Sequence, residues 1–413
     1  MVRPAPPGTP AAVVRCPAGR AVSKRRSLAW AAAVGILLGG CTPAGPDASG
    51  GTAPPAGTSP AVPGPGESGS GASSPGPSGP GASSAAGRPA PAEPAVAGTI
   101  DAELQVPWAT VFLPDGTAVV SERDRGRLRT IAPGSGGRTG TLGTVPDVVH
   151  GGEGGLLGLA LSPDFASDRY LYAYFTAARD NRIARLRLEE RGGELQLGPA
   201  EVIFTGIPKA RTHNGGRIRF GPDGYLYVGT GDAQRQEQSQ DREALGGKIL
   251  RITADGSPAP GNPFGGNPVY SLGHRNVQGL AWDSAGRLWA SEFGPDVNDE
   301  LNLIVPGGNY GWPEVTGAPR RAGFLDAKLT WPSTADSSPS GLEIAGDTAY
   351  LGALRGQRLW VVPLSGEFAG DPVGYFTRQY GRIRDVALAP DGRLWMLNNN
   401  KNPDSVLVLE LPG

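Results

Sequence analysis

His213 stands in the run Arg211-Thr212-His213-Asn214-Gly215-Gly216-Arg217 and is one of three histidines in 413 residues. An imidazole changes charge near neutral pH, so a rare one set among turn glycines is a candidate general base. A strand-and-loop pattern follows it and ends in Gly229-Thr230-Gly231-Asp232. An aspartate there can orient the ring and fix its tautomer. The plain alternative is a histidine on a surface loop, and other loops have to decide between the two. His150-Gly151-Gly152-Glu153-Gly154-Gly155-Leu156-Leu157-Gly158 places a carboxylate among glycines, which implies close backbone approach to something flat, or simply a tight turn. Gly273-His274-Arg275-Asn276 adds a cation and an amide. Ser291-Glu292-Phe293-Gly294-Pro295-Asp296-Val297-Asn298-Asp299-Glu300, followed by Asn309-Tyr310-Gly311-Trp312-Pro313, is rich in acids and flexible carbonyls. That mixture suits a hard, oxygen-ligated cation such as Ca²⁺, although it lacks EF-hand spacing and reads equally as a solvated acidic loop. Arg355 and the pair Arg382-Ile383-Arg384 supply planar guanidinium groups, which favour carboxylates.

These loops need a scaffold that gathers them, and the chain carries a repeat that can. Pro114-Asp115-Gly116, Pro163-Asp164, Pro222-Asp223-Gly224, Asp283-Ser284-Ala285-Gly286 and Pro390-Asp391-Gly392 each separate two short apolar runs. Pro fixes φ and Gly accepts positive φ, so each reads as a hairpin turn between strands. The turns recur roughly every fifty to sixty residues, with one double gap between Asp283 and Asp391. A degenerate sixth unit fills that gap with Ala349-Tyr350-Leu351-Gly352-Ala353-Leu354 and Arg358-Leu359-Trp360-Val361-Val362. Six units of short strands predict an all-β fold, a six-bladed β-propeller over residues 97–413, with loops converging at the mouth of a central channel. A helical turn is expected around residues 238–245, and Trp331 is a candidate for the pocket wall. A net charge of −1 with no basic stripe argues against nucleic acid.

The front of the chain reads differently. Residues 1–26 contain Arg3, Arg15, Arg20, Lys24, Arg25 and Arg26 and no acid. An apolar run over residues 28–38 and Leu38-Gly39-Gly40-Cys41 follow. A basic region, a short apolar run and small residues are the parts of an export signal, and the run is too short to span a bilayer. Small residues directly before Cys41 resemble a bacterial lipobox, so residues 1–41 are expected to be a signal peptide whose cleavage leaves a lipidated Cys41 on the extracytoplasmic membrane face. Residues 42–96 are almost wholly Gly, Pro, Ser, Ala and Thr, a composition that predicts a disordered tether. Cys16 and Cys41 are the two cysteines, which leaves the folded part without disulfides or thiol chemistry.

Over nearly all of residues 100–413 the chain resembles the quinoprotein sugar dehydrogenases of the glucose/sorbosone dehydrogenase family, which includes bacterial aldose sugar dehydrogenases. The resemblance implies a six-bladed propeller binding pyrroloquinoline quinone (PQQ) and Ca²⁺ at the channel mouth. It also implies oxidation of the C1 hydroxyl of an aldose sugar to the lactone, with reoxidation by an electron acceptor outside the cytoplasm. By that resemblance His213 is the catalytic base and Asp232 its support. Arg275 and Asn276 contact the quinone, Gly294 and Pro295 offer carbonyls to the cofactor's calcium, and Arg382 and Arg384 hold the cofactor's carboxylates. Glu300 and Tyr310 match the spacing of a second, structural calcium site. Two positions depart from the family's pattern: Glu153 stands where a glutamine contacts the cofactor, and Arg355 where a lysine pairs with a carboxylate. Two other readings of the residues stay open, a calcium-dependent propeller lactonase and a non-enzymatic surface-binding propeller.

Overall fold

The computed structural model describes residues 91–133, 137–400 and 403–412. The expected signal peptide with Cys41, and the tether up to residue 90, lie outside the described residues. Six antiparallel sheets make up the domain. The first strands of the sheets are Pro107–Phe112, Leu156–Leu161, Ile218–Phe220, Val277–Trp282, Pro339–Ala345 and Ile383–Leu388. Each packs against the first strands of the two sheets beside it, and the last meets the first, so they close a ring. The molecule is the six-bladed β-propeller that the repeat predicts.

The turn chemistry accounts for the hairpins locally. The Asp115, Asp223, Asp283 and Asp391 carboxylates accept the amide two residues on at 2.9, 3.3, 3.0 and 3.0 Å. The glycines that follow take positive φ, for example 84° at Gly116 and 83° at Gly392. The second unit departs from this rule. With Phe165 where a glycine is needed, Asp164 opens a one-turn helix, Phe165–Asp168, and Phe165 is buried in the core. The helical turn expected around residues 238–245 is a short 3₁₀ segment slightly earlier, Gln236–Ser239.

Closure of the ring is not local. The sixth blade consists of Ile383–Leu388, Leu394–Asn398 and Asp404–Glu410, and its outer strand is Ala95–Leu104 from the other end of the domain. Ala95 pairs with Glu410 and Leu104 with Asp404. The strand therefore begins two residues inside the stretch expected to be tether. Non-local pairing of this kind ties the first blade to the last, which a ring of blades needs because each is stable only against its neighbours.

The strand directions also determine where the site is. In every blade the first strand starts, and the second strand ends, at the same end of the channel. Residues just before a first strand and just after a second strand therefore face one mouth. His213, Arg275 and Arg382 belong to the first group, and Asp232, Gly294 and Arg355 to the second. Trp331 does not wall this mouth. It sits on the outer strand of the fourth blade, 3% exposed, with its ring 5.7 Å from Trp360 in the core between blades four and five.

Candidate active site

A cavity of about 310 Å³ opens at that mouth. It is lined by Glu153, His213, Arg275, Gly294, Pro295, Arg355, Arg382 and Arg384, and by Trp108, Arg123, Gln278 and Asp299, which the sequence reading had not assigned to the site. Asp232 and Asn276 are not part of the lining. Both are fully buried behind it, where they hold the residues that are.

His213 takes a left-handed backbone conformation, φ 58°, which is strained for a residue with a side chain. Its surroundings hold it there. Its N–H donates to Glu153 Oε2 at 2.8 Å, and its carbonyl accepts from the Ala233 amide at 3.1 Å. The neighbouring glycines are required by space. A Cβ on Gly231 would lie 2.0 Å from the His213 carbonyl oxygen, and one on Gly152 2.1 Å from the Arg211 carbonyl oxygen. His213 Nδ1 lies 2.7 Å from Asp232 Oδ1. Burial of Asp232 favours its neutral form, but hydrogen bonds from His213, the Gln234 amide and the Trp312 indole outweigh it and hold the carboxyl below its ordinary value. An ionised Asp232 only accepts, so Nδ1 carries the proton and Nε2 is left as the base. The other two histidines do different work. His274 is fully buried between Ser271 and Glu292, and His150 bonds to the Gly154 carbonyl at 2.9 Å.

The cavity is strongly cationic. Five arginines line it against two carboxylates, Glu153 and Asp299. Among the described residues only Arg123 of the five has an ion-pair partner, Asp124 at 2.6 Å. Arg384 is buried, 7% exposed, and donates to Gln278 Oε1 at 3.0 Å and Ser340 Oγ at 3.1 Å. Burial first, then repulsion from Arg123 and Arg382, pushes Arg384 down to about 9, still a cation at neutral pH. Arg382 and Arg275 are also lowered, in both cases chiefly by burial. Among the described residues, the Nε atoms of Arg275 and Arg384 and Nδ2 of Asn276 are buried with no hydrogen-bond partner. Guanidinium groups without carboxylate partners lining one cavity describe a site for a polyanion.

Gly294 and Pro295 turn at the cavity wall, where the Gly294 amide donates to Asp299 Oδ1 at 2.9 Å. Burial pushes Asp299 up to about 6, against the amides of Ser338 and Gly294 that favour its charge. Behind this turn a small cavity of about 10 Å³ is bordered by Glu292, Gly294, Pro295, Glu300, Tyr310 and Trp312. Glu300 accepts from the Gly317 amide at 2.5 Å and from Asn302 Nδ2 at 2.9 Å. Burial, and then the charge of Glu292, push its carboxyl well up. Among the described residues no cluster of three or more His, Cys, Asp or Glu is arranged for a metal ion, so a cation here would have to draw on backbone carbonyls.

The family model for glucose/sorbosone dehydrogenases matches residues 104–408. The chain belongs to the glucose/sorbosone dehydrogenase family. It is similar to a solved structure described as the PQQ-bound form of aldose sugar dehydrogenase from Streptomyces coelicolor, with 50% identity and a TM-score of 0.75 over 78% of this chain and all of that one. It is 31% identical over 353 residues to the aldose sugar dehydrogenase YliI of Escherichia coli, covering 76% of this chain and 94% of that one. It is 32% identical over 280 residues to quinoprotein glucose dehydrogenase B of Acinetobacter calcoaceticus, covering 59% of this chain and 58% of that one.

Glu153 and Arg355, the two positions expected to depart from the family's pattern, both face the cavity. Arg355 donates to Thr334 Oγ1 at 2.9 Å, which aims its fork while leaving its other donors free. Glu153 holds the His213 amide at 2.8 Å, a bond that a glutamine oxygen could also accept. Its negative charge raises the affinity of Arg275, Arg382 and Arg384 for their protons. Arg123 was missed because its run, Ser121-Glu122-Arg123-Asp124, looks like an ordinary charged turn. The readable signal was positional: Arg123 immediately follows a second strand, Ala118–Glu122, as Arg355 closely follows Thr348–Ala353.

Proposed function

We propose that the protein is a PQQ- and calcium-dependent aldose dehydrogenase that oxidises the C1 hydroxyl of aldose sugars to lactones. The observation that carries this is one cavity in which five arginines meet two carboxylates beside a histidine whose Nε2 is left as a base. The surplus of positive charge in the lining matches the three carboxylates of PQQ. When bound, PQQ supplies a quinone that accepts the C1 hydride of the sugar. Arg355, Arg382 and Arg384 would hold its carboxylates, with Arg275 and Asn276 toward the quinone oxygens and Gly294 and Pro295 giving carbonyls to its calcium. His213 Nε2 takes the proton of the anomeric hydroxyl, and Asp232 keeps the ring in the tautomer that can do so. Glu153 keeps His213 in its strained backbone conformation.

Reconstituting the 91–413 domain with PQQ and Ca²⁺, and screening aldoses with a dye as electron acceptor, tests the reading. The quinone absorption should bleach on adding sugar. A protein that hydrolyses lactones and shows no quinone band would instead be the hydrolase of this fold, and one that binds neither would be a binding propeller. Reoxidation by an extracytoplasmic acceptor and attachment through a lipidated Cys41 belong to the same proposal and rest on the signal-like run ending at Leu38-Gly39-Gly40-Cys41. Mass spectrometry of the mature N-terminus checks the anchor, which an unlipidated cysteine would remove.

Two further results follow from the site. Glu300 and Tyr310, beside Glu292, border a cavity of about one water's size, where a cation would relieve the repulsion between the two glutamates. Adding Ca²⁺ to chelator-treated protein without PQQ should raise its melting midpoint by a few degrees, because an ion that binds only the folded state stabilises it. Glu300→Gln should abolish the rise, and an unmoved wild-type curve would remove the site. Glu153→Gln should tighten PQQ binding roughly three- to tenfold, the scale of one partly screened charge. It should also lower the melting midpoint of the cofactor-free protein, whose arginines lose their compensating carboxylate. Titration with PQQ at fixed excess Ca²⁺, set beside thermal denaturation, reads both signs.

A further inference from the structure

Trp312 touches both halves of the site. Its indole Nε1 donates to Asp232 Oδ2 at 2.9 Å, eighty residues away in sequence. The Arg275 guanidinium lies over its ring, 5.4 Å from the centroid. Asp232 and Arg275 are themselves joined, since the Asp232 amide donates to the Arg275 carbonyl at 2.8 Å. The tryptophan is held from behind. Gln240 Nε2 donates to the Trp312 carbonyl at 2.7 Å, and Gln240 and Asn309 exchange side-chain bonds of 3.0 and 2.7 Å. Trp312 is 8% exposed, and its indole N–H is spent on a carboxylate that is fully buried.

A buried carboxylate with two oxygens can present either one to a neighbouring imidazole, or rotate between them. Here each oxygen has its own donors. Oδ2 takes the indole N–H, while Oδ1 takes the Gln234 amide at 2.8 Å and His213 Nδ1. An indole N–H and a backbone amide can only donate, so both carboxylate oxygens are held as acceptors, which favours an ionised Asp232 and a proton on His213 Nδ1. We infer that Trp312 is a positioning residue: its N–H fixes the Asp232 carboxylate so that His213 is kept as the Nδ1–H tautomer, and its ring face sets the Arg275 guanidinium. The inference rests on the dehydrogenase reading for its consequence in catalysis, but its structural content stands in the cofactor-free protein.

Three histidines in the chain make a direct test practical. In protein carrying ¹⁵N-labelled histidine, without PQQ and at mildly alkaline pH, His213 should show the Nδ1–H form with a slowly exchanging, downfield ring proton. His274, whose Nδ1 lies 2.8 Å from Glu292, serves as the internal reference. In Trp312→Phe, which keeps a ring under Arg275 but loses the N–H, the His213 signal should move toward a mixture of tautomers or exchange faster, with His274 unchanged. Replacing Trp312 by its isostere benzothienylalanine makes the same test at constant shape if the phenylalanine variant folds poorly. An unchanged His213 signal in either variant that folds overturns the inference, whatever the enzyme assay shows. In the loaded enzyme, Trp312→Phe should lower kcat about tenfold with KM within twofold. Combined with Asp232→Asn it should add no further loss, because it acts through that carboxylate. Multiplying losses would mean that Trp312 acts independently and would equally sink the inference. An inactive wild type with the expected tautomer signals would sink the dehydrogenase reading instead.

Discussion

His213→Gln should lower aldose turnover by roughly 10²–10⁴-fold, the usual worth of a positioned base, while PQQ still binds. The structure gives each half of that expectation a reason. The nitrogen free to act as a base is Nε2, because Nδ1 is committed to Asp232 at 2.7 Å. A glutamine can occupy the same space and its side-chain N–H₂ can donate to Asp232, but it has no basic nitrogen. An anionic ligand would be held mainly by other residues, since the arginines come from the ends of the second strands of the first and fifth blades and the starts of the first strands of the fourth and sixth. Steady-state rates with a dye acceptor and a separate PQQ titration measure the two effects. Turnover near that of the wild type would show that His213 is not the base. A parallel collapse of PQQ affinity would show that the substitution damaged the cavity rather than the chemistry.

Arg384→Met should act in opposite directions on binding and on stability. Removing one partner of a buried, charge-assisted contact costs about 2–5 kcal/mol, so PQQ affinity should fall by at least about thirtyfold. Without cofactor the same substitution should raise the melting midpoint. The wild-type guanidinium is buried without a carboxylate partner and repelled by Arg123 and Arg382, which is why it is pushed down to about 9. Methionine keeps most of the apolar stem in place. The groups left behind can satisfy each other, because Ser340 Oγ already lies 3.4 Å from Gln278 Oε1. The sign with pH follows from the direction of the shift. The folded protein holds this proton less well than the unfolded chain, so the destabilisation is complete below about pH 9 and eases as pH rises through that value. The advantage of the variant in melting temperature should therefore be largest at neutral pH and shrink in alkali. A lower midpoint for the cofactor-free variant would mean that Arg384 stabilises the channel more than its burial destabilises it. This pattern is that of a site whose strain is relieved by its ligand, the usual trade between stability and function.

The sequence by itself determined the blade count and most of the residues that line the cavity. Pro-Asp-Gly turns are nearest-neighbour chemistry, written in adjacent residues, and they mark hairpins wherever they occur. The second unit broke the pattern for an equally local reason, the absence of a glycine at Phe165. His213, Arg275, Arg355, Arg382 and Arg384 were legible because rare or charged groups beside glycines stand out along a chain that is otherwise apolar strand and polar turn. Tertiary structure decided what needs two distant segments at once. The strand Ala95–Leu104 closes the ring against Asp404–Glu410, Glu153 binds the amide of His213, and Trp312 reaches Asp232 across eighty residues. Arg123 joins the cavity, Asn276 and Asp232 stand behind it, and Trp331 is drawn into the core. The physical reason is the same for each. A propeller sends alternate strand ends to opposite mouths, so a residue's role depends on the direction of its strand and the angle of its blade, and these are set only when the ring packs.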